Sequence, residues 1–66
     1  MDMIPLRSSA IRAAGYDEGL LRMRIIFQEG HSYDFCRVPR YVFEGLLRAS
    51  SAGVYYNQHI KDRYHC

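Results

Sequence analysis

The sequence contains no tryptophan, only two cysteines and a single lysine, and these shortages exclude several classes of protein. Small secreted domains held by disulfides usually carry about four or more cysteines, so Cys36 and Cys66 are expected to remain free thiols. No apolar run approaches the roughly 20 residues of a membrane span, and the first residues lack the apolar centre of a secretory signal. We therefore expect a cytoplasmic protein with no membrane association.

Patterns typical of metal sites and enzymes are also missing. His31, Cys36, His59, His65 and Cys66 supply nitrogen and sulfur, but none of their spacings is that of a zinc site. A nucleophilic Cys36 would need a base such as His31 or His59, and no acid–base pair or oxyanion loop accompanies it. The sequence thus predicts no catalysis, no metal, no cofactor and no small-molecule substrate.

Length and composition indicate one globular domain. The chain has 66 residues, of which 48% are hydrophobic and 24% are charged. A domain of this size buries only about 60% of its unfolded surface, so its free energy of unfolding should be on the order of a few kcal/mol. The net charge of +2, from nine Lys and Arg against seven Asp and Glu, is compatible with nucleic-acid binding but too small to indicate it.

Alternating apolar and polar residues predict a three-stranded antiparallel meander. The strands are expected at residues 11–16, 20–27 and 32–37. Both connecting loops end in Glu-Gly, and Gly19 and Gly30 suit the left-handed position of a turn followed by a bulge. These signals favour two short hairpins in succession.

The register of the two hairpins follows from the separation of apolar and polar side chains. Tyr16 opposite Leu20 puts Ile11 and Ala13 on one apolar face, with Ala13 opposite Met23. The other face then holds the basic residues, with Arg12 opposite Arg24. The second hairpin is expected to pair Met23 with Phe35, Arg24 with Asp34, and Ile25 with Tyr33.

A proline and an apolar stripe predict a helix after the third strand. Val38-Pro39 should end the strand, because proline cannot donate to a ladder but suits the first position of a helix. The helix is expected from Arg40 to Ala49, covering one face of the meander, and Gly45 within it indicates a close approach of another backbone. The apolar stripe consists of Val42, Phe43, Leu46 and Leu47.

A second, shorter helical segment should follow. Ser50 or Ser51 can cap it, and it should run to about His59. Within it, Tyr55-Tyr56-Asn57 has a structural interpretation, with one ring buried and Asn57 bonded to backbone. In the alternative interpretation Tyr55 stacks on a base while Asn57 reads a base edge or a phosphate.

Together these elements predict an α+β fold: a three-stranded antiparallel β-meander followed by one α-helix and a short C-terminal helical segment. Residues 1–7 are expected to form an N-terminal arm, residues 8–64 a single domain, and residues 65–66 a frayed C-terminus.

Residues 8–64 also follow the pattern of a known family. Its parts include Gly15-Tyr16-Asp17, Tyr33-Asp34-Phe35, Val38-Pro39 and Tyr55-Tyr56-Asn57. The pattern resembles that of the KTSC domain, named after the C-terminus of lysyl-tRNA synthetase and also found as free-standing small bacterial or phage proteins. The family's central Tyr-x-Tyr reads Tyr33-Asp34-Phe35 here. The resemblance implies a small binding domain, and attachment to a synthetase suggests RNA as the partner.

RNA is therefore the first partner to consider. Arginines on the exposed sheet face would contact phosphates, and exposed tyrosines, with Tyr16 and Tyr64 as further candidates, would stack on unpaired bases. A solvated basic face, partly neutralised by Asp34, is the alternative without a ligand. The candidate RNA-binding residues are Arg12, Arg22, Arg24, Tyr55, Asn57, Lys61 and Arg63.

A protein partner, or a second copy of the chain, is the main rival. A helix on one face of the sheet would leave Tyr16, Leu20 and Ile26 on the other, and covering them would stabilise a small domain. A dimer through this face or an edge strand would hide Arg12 from RNA. The sequence thus predicts non-catalytic binding, with RNA first and protein interaction or self-association second.

Overall fold

The computed structural model describes residues 1–66 and shows an α+β fold, as predicted. The sheet has four strands rather than three, all antiparallel and in the order β1-β2-β3-β4. The strands are β1 (Met3–Pro5), β2 (Ile11–Asp17), β3 (Arg22–Phe27) and β4 (Ser32–Phe35), and the helices are α1 (Arg40–Arg48) and α2 (Ala52–His59).

The additional strand lies in the predicted N-terminal arm. β1 pairs with β2, with Met3 opposite Gly15 and Pro5 opposite Ala13. A Cβ atom at residue 15 would lie 2.9 Å from Cγ of Met1, so glycine at this position lets the first residues lie flat against β2. A strand of three residues that ends in proline is too short to show an alternating pattern, which is why the sequence did not reveal it.

The first hairpin has a different register from the predicted one. Tyr16 lies opposite Met23 and not opposite Leu20. The carbonyl oxygen of Leu21, in the loop between β2 and β3, accepts a hydrogen bond from the N–H of Val38 at 2.8 Å. This loop is therefore shaped by contact with the segment before α1, which local sequence patterns do not encode.

A β-bulge changes which side chains of β2 face the core. The register shifts between Ile11 and Ala13, so Ile11 and Ala14 are both fully buried in the core. Ala13 lies opposite Ile26, on the other face of the sheet. Strict alternation had placed Ile11 and Ala13 on one face, and the extra residue of the bulge is the reason that this expectation was wrong.

The second hairpin has the predicted register. The pairs of β3 and β4 are Met23 with Phe35, Arg24 with Asp34, and Ile25 with Tyr33. On the outer face, Arg24 donates from Nε to Oδ1 of Asp34 at 2.7 Å and from Nη2 to Oδ2 at 3.1 Å. A bidentate, charge-assisted pair of this kind helps to fix the register.

One hydrophobic core lies between the sheet and the two helices. The predicted stripe of α1 supplies it with Val42, Phe43 and Leu46, whereas Leu47 is half-buried. Ser51 caps α2 as predicted, because its Oγ accepts a hydrogen bond from the N–H of Val54 at 3.3 Å. Neither helix is long and apolar enough to cross a membrane. The most deeply buried side chains are Ile11, Ala14, Met23, Ile25, Val38 and Ile60.

Cys36 and Cys66 form a disulfide, so the expectation of free thiols was wrong. The last residues run back to the end of β4, where the N–H of Cys36 donates to the carbonyl of Tyr64 at 2.8 Å. The Nη2 of Arg37 donates to the carbonyl of His65 at 3.0 Å. These contacts tie down the end that was expected to fray and join cysteines 30 residues apart. Disulfides are more usual in oxidising compartments, and the cytoplasmic location stays a prediction.

Candidate functional site

The predicted RNA-binding residues do not form one continuous surface. Arg22 and Arg24 project from the outer face of β3, because Met23 between them is buried on the core face. Asn57 is exposed on α2, and the exposed Lys61 and Arg63 follow that helix in the C-terminal segment. The structure thus divides the predicted site between the outer face of the sheet and the C-terminal part of the chain.

Around Arg22 and Arg24 the outer face carries as many carboxylates as guanidinium groups. Arg24 is bound to Asp34, and Asp17 is the cross-strand partner of Arg22. The hydrogen bond from Arg24 lowers the pKa of Asp34 below its ordinary value, and Asp34 in turn raises the pKa of Arg24. The positive charge of Arg24 is therefore already matched, and Arg22 is the freer of the two.

Arg12 lies at the bulge of β2, away from the predicted position opposite Arg24. Its Nη2 donates to the carbonyl oxygen of Gln28 at 3.1 Å. The Nε2 of Gln28 donates in turn to the carbonyl oxygen of Ser8 at 2.9 Å. Arg12 is exposed and makes no salt bridge, so its charge remains available to a ligand.

Tyr55 packs between the helices and is not an open stacking surface. A Cβ atom at residue 45 would lie 2.7 Å from Cζ of Tyr55, so the ring lies directly on Gly45 of α1. The ring also packs on His59, with 4.5 Å between ring centroids, and burial raises the pKa of Tyr55. The predicted close approach at Gly45 exists, but the neighbour is a side chain. Tyr64 is likewise half-buried against the core.

Tyr16 also points inward. Its ring stacks on Phe43 with centroids 5.2 Å apart, and its hydroxyl donates to the carbonyl of Val38 at 2.6 Å. Burial raises the pKa of Tyr16. The most exposed tyrosine rings are instead Tyr33 and Tyr41, at 51% and 73% exposure. Sequence reasoning missed both, because exposure at an edge strand or at the start of a helix has no local signature.

Most of the cations are free of carboxylate partners. Only Arg24 and Arg40 make salt bridges to carboxylates, so seven of the nine Lys and Arg side chains are exposed and unpaired. Three of these belong to the C-terminal segment or bind its backbone, and we call Arg37, Lys61 and Arg63 the tail cations. The other four are Arg7, Arg12, Arg22 and Arg48.

Comparison with known proteins identifies the family of this chain. Residues 7–64 match the family model of the KTSC domain. The chain belongs to the KTSC domain family. A crystal structure of a KTSC domain protein from Yersinia pestis superposes with a TM-score of 0.92 at 28% sequence identity, covering 96% of this chain and 89% of that one.

Two relatives share most of the length of this KTSC domain. A protein of Tsukamurella paurometabola is 42% identical over 62 residues, which cover 94% of this chain and 92% of the relative. A protein of Stutzerimonas stutzeri, described as uncharacterized, is 34% identical over 65 residues, which cover 98% of this chain and 92% of the relative. The likeness therefore spans the whole fold of these small proteins.

The two cysteines of this KTSC domain are oxidised, and its His, Asp and Glu side chains are dispersed over the surface. Cys36 and Cys66 are joined in the disulfide, so neither presents a thiolate in this state. No three His, Cys, Asp or Glu side chains come close enough to hold a metal ion. The chemistry that the surface of the KTSC domain offers is that of its free cations, its exposed rings and its apolar side chains.

Large apolar side chains are exposed where the loop between β2 and β3 meets α1. Leu20, Leu21 and Tyr41 have exposures of 63%, 44% and 73%. Glu18 of the same loop pairs with Arg40 at the start of α1, which holds the loop against the helix. We call Leu20, Leu21 and Tyr41 the loop–helix patch.

Proposed function

We propose that this KTSC domain is a small non-catalytic binding protein whose partner is RNA. The observation that carries the proposal is the set of seven exposed cations without a carboxylate partner. A Lys or Arg side chain without a carboxylate partner can bind phosphate without first breaking a salt bridge. Phosphate contacts supply most of the affinity of non-specific nucleic-acid binding. Because few rings are open for stacking, we expect weak sequence preference.

The tail cations are the best candidates for phosphate contacts. Lys61 and Arg63 are two residues apart, and Arg37 donates to the backbone of His65, two residues further along. Near Arg24, in contrast, the outer sheet face holds its own carboxylate in Asp34. The C-terminal segment also carries one carboxylate, Asp62, but beside three unpaired cations, so an RNA backbone that follows it would meet more unpaired positive charge than one that passes Arg22 and Arg24.

A fluorescence-anisotropy titration of single-stranded and hairpin RNA, at about 50 mM and about 200 mM salt, tests the proposal. Affinity that depends on phosphate contacts falls strongly between these two salt concentrations. We expect affinity to fall as salt rises. The double variant Lys61→Gln with Arg63→Gln should weaken binding at low salt and reduce the salt dependence. Arg40→Gln is the control for loss of one cation, because Arg40 is already paired with Glu18 and Glu44.

Two results would count against this proposal. Absence of binding at low salt would reject RNA as the partner of this domain. Arg40→Gln and the tail variant could also lower the RNA affinity equally for each charge removed. Only net charge would then matter, and the tail cations would have no special role in binding.

Protein interaction is the second candidate function, because the loop–helix patch exposes three large apolar side chains on neighbouring segments. The edge strands that the sequence predicted as a possible interface are less open. The end of β4 is bound by the C-terminal segment through Cys36 and Tyr64, and β2 is covered by β1. Light scattering over a range of protein concentrations tests self-association. A mass that rises with concentration, and less so in Leu20→Ser, would support it, whereas a constant mass would reject it.

A further inference from the structure

A pocket of about 200 Å³ opens between β4, α2 and the C-terminal segment. Pockets for drug-sized ligands usually measure about 300–1,000 Å³, so this one suits a single side chain or a small organic ion. It is lined by Tyr33, Asp34, Phe35, Tyr56, Asp62, His65 and Cys66.

Aromatic rings form one side of the pocket and are held in place by the core. Tyr33 and Tyr56 both pack against Phe27 at steep angles, with ring centroids 5.6 Å and 5.1 Å from it. Tyr56 also meets the edge of the core at Phe35, with centroids 6.2 Å apart. The rings therefore need no ligand to position them, and their electron-rich faces attract cations.

Asp62 supplies the pocket with an unmatched negative charge. Of the two carboxylates in the lining, Asp34 is bound to Arg24, whereas Asp62 makes no salt bridge with its neighbours Lys61 and Arg63 or with any other cation. Burial raises the pKa of Tyr56, and the negative charge of Asp62 raises it further. The charge of Asp62 therefore affects the pKa of Tyr56, whose ring lines the same pocket.

We propose that this pocket binds an organic cation, an alkylammonium or guanidinium group, between the rings of Tyr33 and Tyr56 with Asp62 as the counter-ion. The size of the pocket admits one such group, and rings with a nearby carboxylate recognise a cation better than either feature alone. The group belongs either to a free amine or to a Lys or Arg side chain of a protein partner. Asp62 lies between the tail cations Lys61 and Arg63, but the ligand proposed here carries the opposite charge to RNA, so the two proposals assign different ligands and are tested separately.

An NMR titration of the full, ¹⁵N-labelled chain with butylammonium chloride and with methylguanidinium chloride tests this site. Saturating shifts are expected at the amides of Tyr33, Tyr56 and Asp62, and not with sodium chloride at equal ionic strength or with neutral butanol. Asp62→Asn should weaken binding about three- to fivefold. The backbone of Asp62 is left-handed, with φ 61°, and asparagine tolerates this conformation, so the variant should keep the fold.

Asp2→Asn is the matched control, since it removes the same charge from an exposed residue that makes no salt bridge. Equal binding by both variants, or shifts matched by sodium chloride or butanol, would overturn the proposal. A capped Gly-Lys-Gly peptide separates the two sources of the cation. Tighter binding of the peptide than of butylammonium identifies a protein side chain, and weaker binding identifies a free amine, while both outcomes support a cation site.

Discussion

The phenol ring of Tyr55 occupies the space that a side chain at Gly45 would need. A Cβ atom at residue 45 would lie 2.7 Å from Cζ and 2.9 Å from Cε2 of the ring, closer than packed carbon atoms approach each other. Helices α1 and α2 can therefore lie this close together because residue 45 has no side chain. This contact explains a glycine in the middle of a helix, where it costs about 1 kcal/mol relative to alanine.

Gly45→Ala should destabilise the protein although alanine is the better helix former. Overpacking of a filled contact costs about 1–3 kcal/mol against a gain of about 1 kcal/mol in helix propensity, so the net loss should reach up to about 2 kcal/mol. Urea unfolding measures the change. In a Tyr55→Leu background the same substitution should become stabilising. A higher urea midpoint for Gly45→Ala with Tyr55 intact would contradict the contact.

The disulfide should contribute a large part of the stability of this small domain. Cys36 and Cys66 are 30 residues apart, and cross-linking a loop of that length stabilises by about 3–4 kcal/mol in the chain-entropy model. Reduction with a dithiol should therefore lower the urea midpoint strongly. The double variant Cys36→Ala with Cys66→Ala should match the reduced protein and be insensitive to the reductant. A midpoint that reduction leaves unchanged would contradict this prediction.

The parts of the fold that the sequence predicted are those with a local cause. Pro39 marks the start of α1, Ser51 caps α2, and the alternation in β3 and β4 gives the register of Arg24 with Asp34. The bulge next to Ile11 and the strand β1 were missed, because both depend on neighbours distant in sequence. The Cys36–Cys66 bond was missed for the same reason: it forms only once the chain end returns to β4.

The candidate site was predicted less completely than the fold. Charged residues such as Arg22 and Lys61 are exposed as expected, since charge alone favours the surface. The direction of an aromatic ring depends on tertiary packing, so the sequence left open whether Tyr55 is buried or stacks on a base, and Tyr33 was not among the rings expected to be exposed. The pocket beside Asp62 exists only through the return of the C-terminal segment, and no spacing in the sequence indicates it.

The pair of Arg24 and Asp34 should make stability depend on pH in acid. The hydrogen bond from Arg24 lowers the pKa of Asp34, so the unfolded chain takes up this proton more readily than the folded one. The pair therefore stabilises the fold above the ordinary Asp pKa of about 3.9, and this contribution is lost as pH falls through the lowered pKa. The contribution should be small, because the two side chains are 44% and 32% exposed and water screens their attraction.

Urea midpoints at about pH 7 and about pH 2 measure this contribution. Asp34→Asn should lower the midpoint at neutral pH and reduce the difference between the two pH values. Asp2→Asn, at a residue without a salt bridge, should behave like the unchanged protein. The prediction fails if Asp34→Asn and the unchanged protein lose equal stability between the two pH values.

The hydroxyl of Tyr16 should stabilise the link between the sheet and the segment before α1. It donates to the carbonyl of Val38 at 2.6 Å while its ring stacks on Phe43, so Tyr16→Phe removes the hydrogen bond and keeps the stacking. The loss should be about 1 kcal/mol, because the half-buried carbonyl is left without this donor. Tyr41→Phe is the matched control: its ring is 73% exposed, so the loss of its hydroxyl should change the urea midpoint little. Equal midpoints for the two variants would show that the bond to Val38 exchanges for water at no net cost.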